Sequence, residues 1–96
     1  MALTIEDYKK PKSHPYGMLR GEEHAHEKES FMAWCLSQCL KAKNLDAEIK
    51  TRNNEDHMAR IGLLTKIKEK TYRLTHKAKA LLYAHYGAPE DSPCKP

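Results

Sequence analysis

Two histidines and two cysteines in the first half of the chain could together bind zinc. They are His24, His26, Cys35 and Cys39, and zinc in proteins is commonly held by four such ligands. Cys35 and Cys39 are one helical turn apart, so both thiols would lie on one side of a helix. His24 and His26 would point about 200° apart on that helix, so they reach one ion only if the helix starts after them. Because both cysteines lie in the most apolar segment, we interpret them as core residues and predict no metal and no cofactor.

The serines, glycines and paired acids form no recognisable catalytic set. Ser30 and Ser37 fall in a predicted helix, without the strand-to-helix turn that exposes a nucleophilic serine in hydrolases. Asp56 and His57 could exchange protons, but an acidic residue here is also an ordinary start of a helix. The chain has 4 glycines, and they are not spaced to bind a phosphate. We therefore predict a binding protein and not an enzyme.

The C-terminal half carries an excess of positive charge. The formal net charge is +4, and it divides into −1 for residues 1–59 and +5 for residues 60–96. At 100° per residue, four cations form a stripe beside an apolar helix face. The stripe consists of Lys66, Lys70, Arg73 and Lys77. The apolar face consists of Leu63, Leu64, Ile67, Leu74, Ala78, Leu81 and Leu82. We predict that this stripe binds nucleic acid, a nucleoprotein complex or an acidic protein surface; the alternative is a solvated helix face.

The elements that would position these residues are all helical. No stretch shows the alternation of a strand, and the expected fold class is all-α, with one domain for 96 residues. Residues 1–20 are predicted to form an extended arm, since Pro11 and Pro15 disfavour regular structure there. Residues 21–88 would form the helical domain, and residues 89–96 a disordered tail.

Two principal helices are expected to pack antiparallel as a helical hairpin. The first runs from about residue 22 to 43, and residues 31–40 are apolar around most of its circumference. The second is long, amphipathic and basic, and it ends at Tyr86 because Gly87 follows. Two alternatives stay open for residues 45–86: one helix of about forty residues, or a short helix followed by a long one from Glu55. The adjacent Asn53 and Asn54 favour the second alternative.

The apolar central helix predicts self-association. A domain of this size has a marginal core, and we expect a homodimer in which Phe31 and Trp34 lie at the interface. A rival hypothesis for the function follows from the same residues. The protein would then be an adaptor or inhibitor that binds another protein through the hydrophobic helix and the tyrosines.

Cysteine usage and hydropathy predict the compartment. The chain has 3 cysteines, an odd number, and its first residues lack the apolar core of a secretory signal. No window approaches the roughly 18 apolar residues that a membrane span needs. We therefore expect a cytoplasmic protein without a membrane partner.

Two segments, EDHMARI at residues 55–61 and ALLYAHY at residues 80–86, resemble part of the Q-type late antiterminators of bacteriophages. In that family a helix with an acidic start and a helix ending in Leu-Leu-x-x-His-Tyr precede a helix-turn-helix that contacts DNA. Ten residues follow Tyr86 in this sequence, so the resemblance does not include that DNA-reading unit. It implies a small helical regulator of phage or mobile-element type.

Overall fold

A computed structural model describes residues 4–11 and 17–87, and these residues adopt an α+β fold. The helices are α1 (Ala25–Ala42), α2 (Asp56–Arg60) and α3 (His76–Tyr86). The strands are β1 (Ile49–Lys50), β2 (Leu64–Lys68) and β3 (Thr71–Leu74). The N-terminal segment adds one turn of 3-10 helix, Ile5–Asp7. The predictions of an all-α fold and of a helical hairpin are therefore wrong.

The three strands form one antiparallel sheet in the order β1-β3-β2. Ile49 pairs with Tyr72, and Leu64 pairs with Leu74. These four side chains are between 0% and 4% exposed, so this face of the sheet packs on the core. Helices α1 and α3 contact each other, and each also contacts the sheet. Both helices therefore help to cover the sheet's buried face.

The predicted long basic helix is replaced by a helix, a hairpin and a second helix. Its central part is rich in threonine, isoleucine and tyrosine, which favour strands, and the chain reverses at Glu69 and Lys70 between β2 and β3. Ile67, assigned to the apolar helix face, is 37% exposed. The helical period was misleading because β3 pairs with β1, about twenty residues earlier, where Tyr72 lies opposite Ile49. A local pattern does not contain that contact.

Helix α1 confirms a helix in the predicted region, but its fully buried apolar residues lie on one side. The buried stripe consists of Met32, Cys35, Leu36 and Cys39, all 0% exposed, at the spacing of a single amphipathic face. Trp34 lies outside this stripe and is 39% exposed. The helix ends at Ala42, and Lys43 is its C-terminal cap, whose backbone N–H donates to the backbone oxygens of Cys39 and Leu40. The chain's own sheet and α3 contact this helix.

Neither alternative for residues 45–86 describes the structure. The segment before Asn53 contains the short strand β1 where a helix was expected. A helix does begin near Glu55, but α2 ends after five residues, at Arg60. The predicted helix end at Tyr86 is correct, and Gly87 is the C-terminal cap of α3.

The described part of the predicted N-terminal arm packs against its own domain. Tyr8 is 7% exposed, and its hydroxyl donates to the backbone oxygen of Lys79 at 2.7 Å. The backbone N–H of Lys9 donates to the oxygen of Tyr86, also at 2.7 Å. Further along, the N–H of Leu19 donates to the buried carboxylate of Glu29 at 2.8 Å. The predicted tail, 89–96, lies outside the described residues.

A membrane-crossing helix would need both length and apolar character. No helix among residues 4–11 and 17–87 has both.

Candidate functional site

The four residues of the predicted basic stripe do not share a helix. Lys66 lies in β2, Lys70 in the turn after it, Arg73 in β3 and Lys77 in α3. The four residues therefore do not form a stripe along one helix.

Three of these cations are held by contacts within the protein. The ammonium of Lys66 lies 3.1 Å from Asp56 Oδ1, and this hydrogen bond raises the pKa of Lys66. Arg73 Nε donates to the backbone oxygen of Asp46 at 3.0 Å, and its guanidinium lies 3.8 Å from Glu48. The ammonium of Lys77 donates to the backbone oxygen of Ile61 at 3.0 Å. These contacts connect the sheet to α2 and to the loop before β1, and α3 to the loop after α2. Each contact occupies a donor that a ligand would need.

Lys70 differs from the other three. Its backbone N–H donates to Asn54 Oδ1 at 3.0 Å, and its φ of +59° is left-handed. The amide of Asn54 thereby fixes the turn. The ammonium of Lys70 is exposed and makes no ion pair or hydrogen bond with the described residues.

Three further exposed cations join Lys70 at one end of the sheet. Lys50 in β1 and Lys68 in β2 both pair with Thr71 of β3, so they lie on the same face, one on each side of it. The backbone N–H of Thr51 donates to the oxygen of Lys70 at 2.9 Å, which brings Arg52 beside the hairpin turn. We call these four residues, Lys50, Arg52, Lys68 and Lys70, the sheet-end cations. Within residues 4–11 and 17–87, none of the four side chains has an ion-pair or hydrogen-bond partner.

The spacing of the strands spreads this charge over a surface. Neighbouring strands lie about 4.8 Å apart, so the backbones of Lys50 and Lys68, on either side of β3, are about 10 Å apart. Cations without internal partners attract an anionic polymer by their combined field. The β2–β3 hairpin is also a two-stranded ribbon, a shape that the major groove of duplex DNA, about 12 Å wide, admits.

The predicted stripe did not include Lys50, Arg52 or Lys68. Lys50 and Arg52 belong to a segment that we expected to be helical, and their proximity to Lys70 depends on the pairing of β1 with β3. The strand-favouring residues Thr65, Ile67 and Thr71 on either side of Glu69 and Lys70 were the signal that could have revealed the hairpin. Nothing in the local pattern of residues 49–52 indicates which strand they join.

A second surface is an acidic cleft between the first half of α1 and α2. Its volume is about 700 Å³, and its apolar lining consists of Phe31, Met58 and Ile61. Its charged lining is acidic on balance, because the carboxylates of Glu22, Glu23, Glu27 and Glu55 outnumber the cations Lys28 and Arg60. The ring of Phe31 lies 5.6 Å from that of Trp34. The structure thus brings together the two aromatic residues of the predicted interface, beside acids that the prediction did not include.

The histidines and cysteines do not converge. Cys35 and Cys39 are buried free thiols, and burial raises the pKa of Cys39 to about 11. Burial also raises the pKa of Cys35. The interpretation of both as core residues is confirmed. His24 is the residue before α1, and in the described part of the chain no three His, Cys, Asp or Glu side chains are grouped to hold a metal ion.

No protein-family model, curated protein or solved structure matches the chain. The resemblance of residues 55–86 to phage Q-type antiterminators therefore stays a prediction. The candidate site is interpreted from its own residues.

Proposed function

We propose that this protein is a small, non-enzymatic, cytoplasmic regulator of phage or mobile-element type that binds nucleic acid. The sheet-end cations Lys50, Arg52, Lys68 and Lys70 would contact phosphates. The observation that supports the proposal is that four exposed cations from two chain segments lie together without internal partners. The basic helix face expected from the sequence is not part of the proposal.

The physical basis is the release of counterions. A nucleic acid carries condensed cations, and a lysine or arginine that neutralises a phosphate releases them, so affinity depends strongly on salt. Lys66, Arg73 and Lys77 already contact oxygen atoms of the protein. Their donors would have to leave those contacts to reach phosphate, whereas the sheet-end cations would not.

The salt dependence of binding tests the proposal. Fluorescence anisotropy with a labelled duplex should give a log–log slope of about −3 to −4 if four phosphates are contacted. Single-stranded DNA and RNA of equal length should be measured in parallel, since the slope per contact is smaller for single strands, about −0.7. Absence of binding to every nucleic acid at about 50 mM salt would refute the proposal.

Lys70→Gly is the most informative variant, because Lys43 offers a matched control. Both are exposed lysines with left-handed backbones, at φ +59° and φ +58°, a conformation that glycine adopts readily. Each substitution removes one positive charge without straining the backbone. Lys70→Gly should reduce the slope by about 1, whereas Lys43→Gly should leave it unchanged. Equal effects of the two variants would show that net charge, and not the sheet end, controls binding.

Lys77→Ala separates this proposal from the stripe predicted from the sequence. Because its ammonium donates to Ile61, the variant should keep the wild-type salt slope. A loss as large as that of Lys70→Gly would instead favour binding through α3.

The contact between Trp34 and Phe31 supports a second candidate function. Trp34 is 39% exposed and lies against the partly buried Phe31, which lines the acidic cleft, an arrangement suited to binding another protein as an adaptor or inhibitor. In that case nucleic acids would not bind at moderate salt, and Trp34→Ala would abolish binding to the protein partner.

A further inference from the structure

The two exposed large hydrophobic side chains of the described residues lie on or next to surfaces of opposite charge. Trp34 is 39% exposed and Ile67 is 37% exposed. Trp34 does not line the acidic cleft but contacts Phe31, which does, and Ile67 lies between Lys66 and Lys68 on the basic hairpin. Each surface therefore offers an apolar residue and the charge that complements the other.

Two of the acids at the cleft, Glu23 and Glu27, are available to a cation. Their side chains are 87% and 80% exposed. In the described part of the chain, His24 is the only basic residue within ion-pair distance of either, at 3.5 Å from Glu23 and 3.8 Å from Glu27. The cations Lys28 and Arg60 also line the cleft, and Lys28 lies 3.4 Å from Glu22. The floor beneath them is apolar, with Phe31 and Ile61 partly buried.

The hairpin presents Ile67 through an irregularity in the sheet. The pairing of β2 with β3 shifts register between Lys66 and Lys68, which leaves Ile67 without a partner in the register. Such bulges bend a strand and redirect a side chain. Ile67 is thereby exposed next to Lys68, and Lys70 follows in the turn.

The hairpin of the same molecule does not occupy the cleft. None of residues 64–74 lines it, although Lys66 contacts Asp56 of α2. A hairpin that reaches Phe31 and Glu27 must therefore come from another molecule.

We propose that the β2–β3 hairpin of one copy of this protein binds in the α1–α2 cleft of a second copy. Ile67 would pack on Phe31 and Trp34, while Lys68 and Lys70 would lie near Glu23 and Glu27. The contact joins two different surfaces, so it is heterologous and leaves one hairpin and one cleft open at the ends. It is also small and charged, so it should be weak and should weaken further with salt. It does not depend on nucleic-acid binding.

Sedimentation velocity and tryptophan emission test the contact. Trp34 is the single tryptophan of the chain, so its emission should shift to the blue as the protein is concentrated at low salt. Ile67→Glu and Glu27→Lys should each weaken self-association by about tenfold or more, equal to about 1.4 kcal/mol. The matched controls are Thr65→Glu, on the same strand, and Glu6→Lys, in the 3-10 turn. Both positions are exposed, and both variants should associate like the wild type.

A mixing experiment identifies the two surfaces. Ile67→Glu keeps an intact cleft, and Glu27→Lys keeps an intact hairpin, so an equimolar mixture should form a 1:1 heterodimer that neither variant forms alone. A wild-type protein that is monomeric up to about 1 mM overturns the proposal. Association that survives both substitutions also overturns it, as does a mixture that stays monomeric. Duplex binding by Lys70→Gly is measured at protein concentrations lower than those at which the wild-type protein self-associates. Failure of one proposal is therefore distinguished from failure of the other.

Discussion

Tyr8 attaches the N-terminal segment to α3 through both its ring and its hydroxyl. The ring meets Tyr83 edge-on at 5.9 Å between centroids, and the hydroxyl donates to the oxygen of Lys79. Burial, followed by the charge of Asp7, raises the pKa of Tyr8 to about 12, from 10.0. Ionisation of this tyrosine is therefore linked to detachment of the segment.

Tyr8→Phe should lower the free energy of unfolding by about 1 kcal/mol at neutral pH, because one hydrogen bond is lost. The folded-state pKa is the higher one, so the stabilisation is complete below pH 10 and is lost as the pH rises toward 12. The variant should accordingly lose less stability than the wild type between these values. Urea unfolding at several pH values measures this, with Tyr83→Phe as a control that keeps both rings. An unchanged pH dependence in Tyr8→Phe would contradict the assignment.

Individual residues were predicted from the sequence where local composition decides their position. Cys35 and Cys39 are buried as expected because they lie among apolar residues of one helix. Phe31 and Trp34 are adjacent because they are three residues apart on that helix. Lys70 was selected for the wrong reason, from a helical spacing, and its exposure in a turn follows from a hairpin that the pattern did not predict.

Helix α1 and the segment 63–74 show which elements can be predicted from a local sequence pattern and which cannot. Helix α1 contains eighteen residues with one continuous apolar stripe, so its existence and approximate limits could be inferred. Residues 63–74 contain apolar residues at positions that fit a helix face and also a strand pair. The strand pair forms instead of the helix because β1 pairs with β3. Tertiary pairing therefore overrides the local preference.

Thr75 begins α3 and also connects it to the loop after α2. Its hydroxyl accepts from the N–H of Ala78 at 3.2 Å and donates to the backbone oxygen of Gly62. Thr75→Val keeps the shape of the side chain but removes both hydrogen bonds, and it should lower the free energy of unfolding by about 1–2 kcal/mol. Chemical denaturation measures the change. Thr65→Val, at an exposed position of β2, is the matched control and should change stability by less than about 0.5 kcal/mol. Equal effects would mean that the cap does not stabilise α3.

At the scale of the whole molecule, the fold groups charges from segments that are distant in the sequence. The sequence predicted a basic C-terminal half, but the sheet-end cations also include Lys50 and Arg52 from the half with net charge −1. The acids before and within the first turn of α1 suit the positive end of the helix dipole. In the fold, Glu22, Glu23 and Glu27 meet Glu55 across the cleft. Charge totals are set by composition, whereas these clusters depend on which segments the fold brings together.

The last prediction concerns the core and tests whether α1 is covered on one side or on two. Leu36 is 0% exposed, within a core that includes Ile49 and Tyr72, whereas Leu40 is only partly buried. Leu36→Ala should therefore lower the free energy of unfolding by about 2–5 kcal/mol, a large fraction of the 5–15 kcal/mol typical of a domain. Leu40→Ala should cost about 1 kcal/mol, since less apolar area returns to water. Urea denaturation at micromolar protein, with the slope compared between variants, measures both changes. If the two substitutions were equally severe, α1 would have to be covered on two sides, as the sequence pattern first indicated, and a second subunit would have to supply the additional cover.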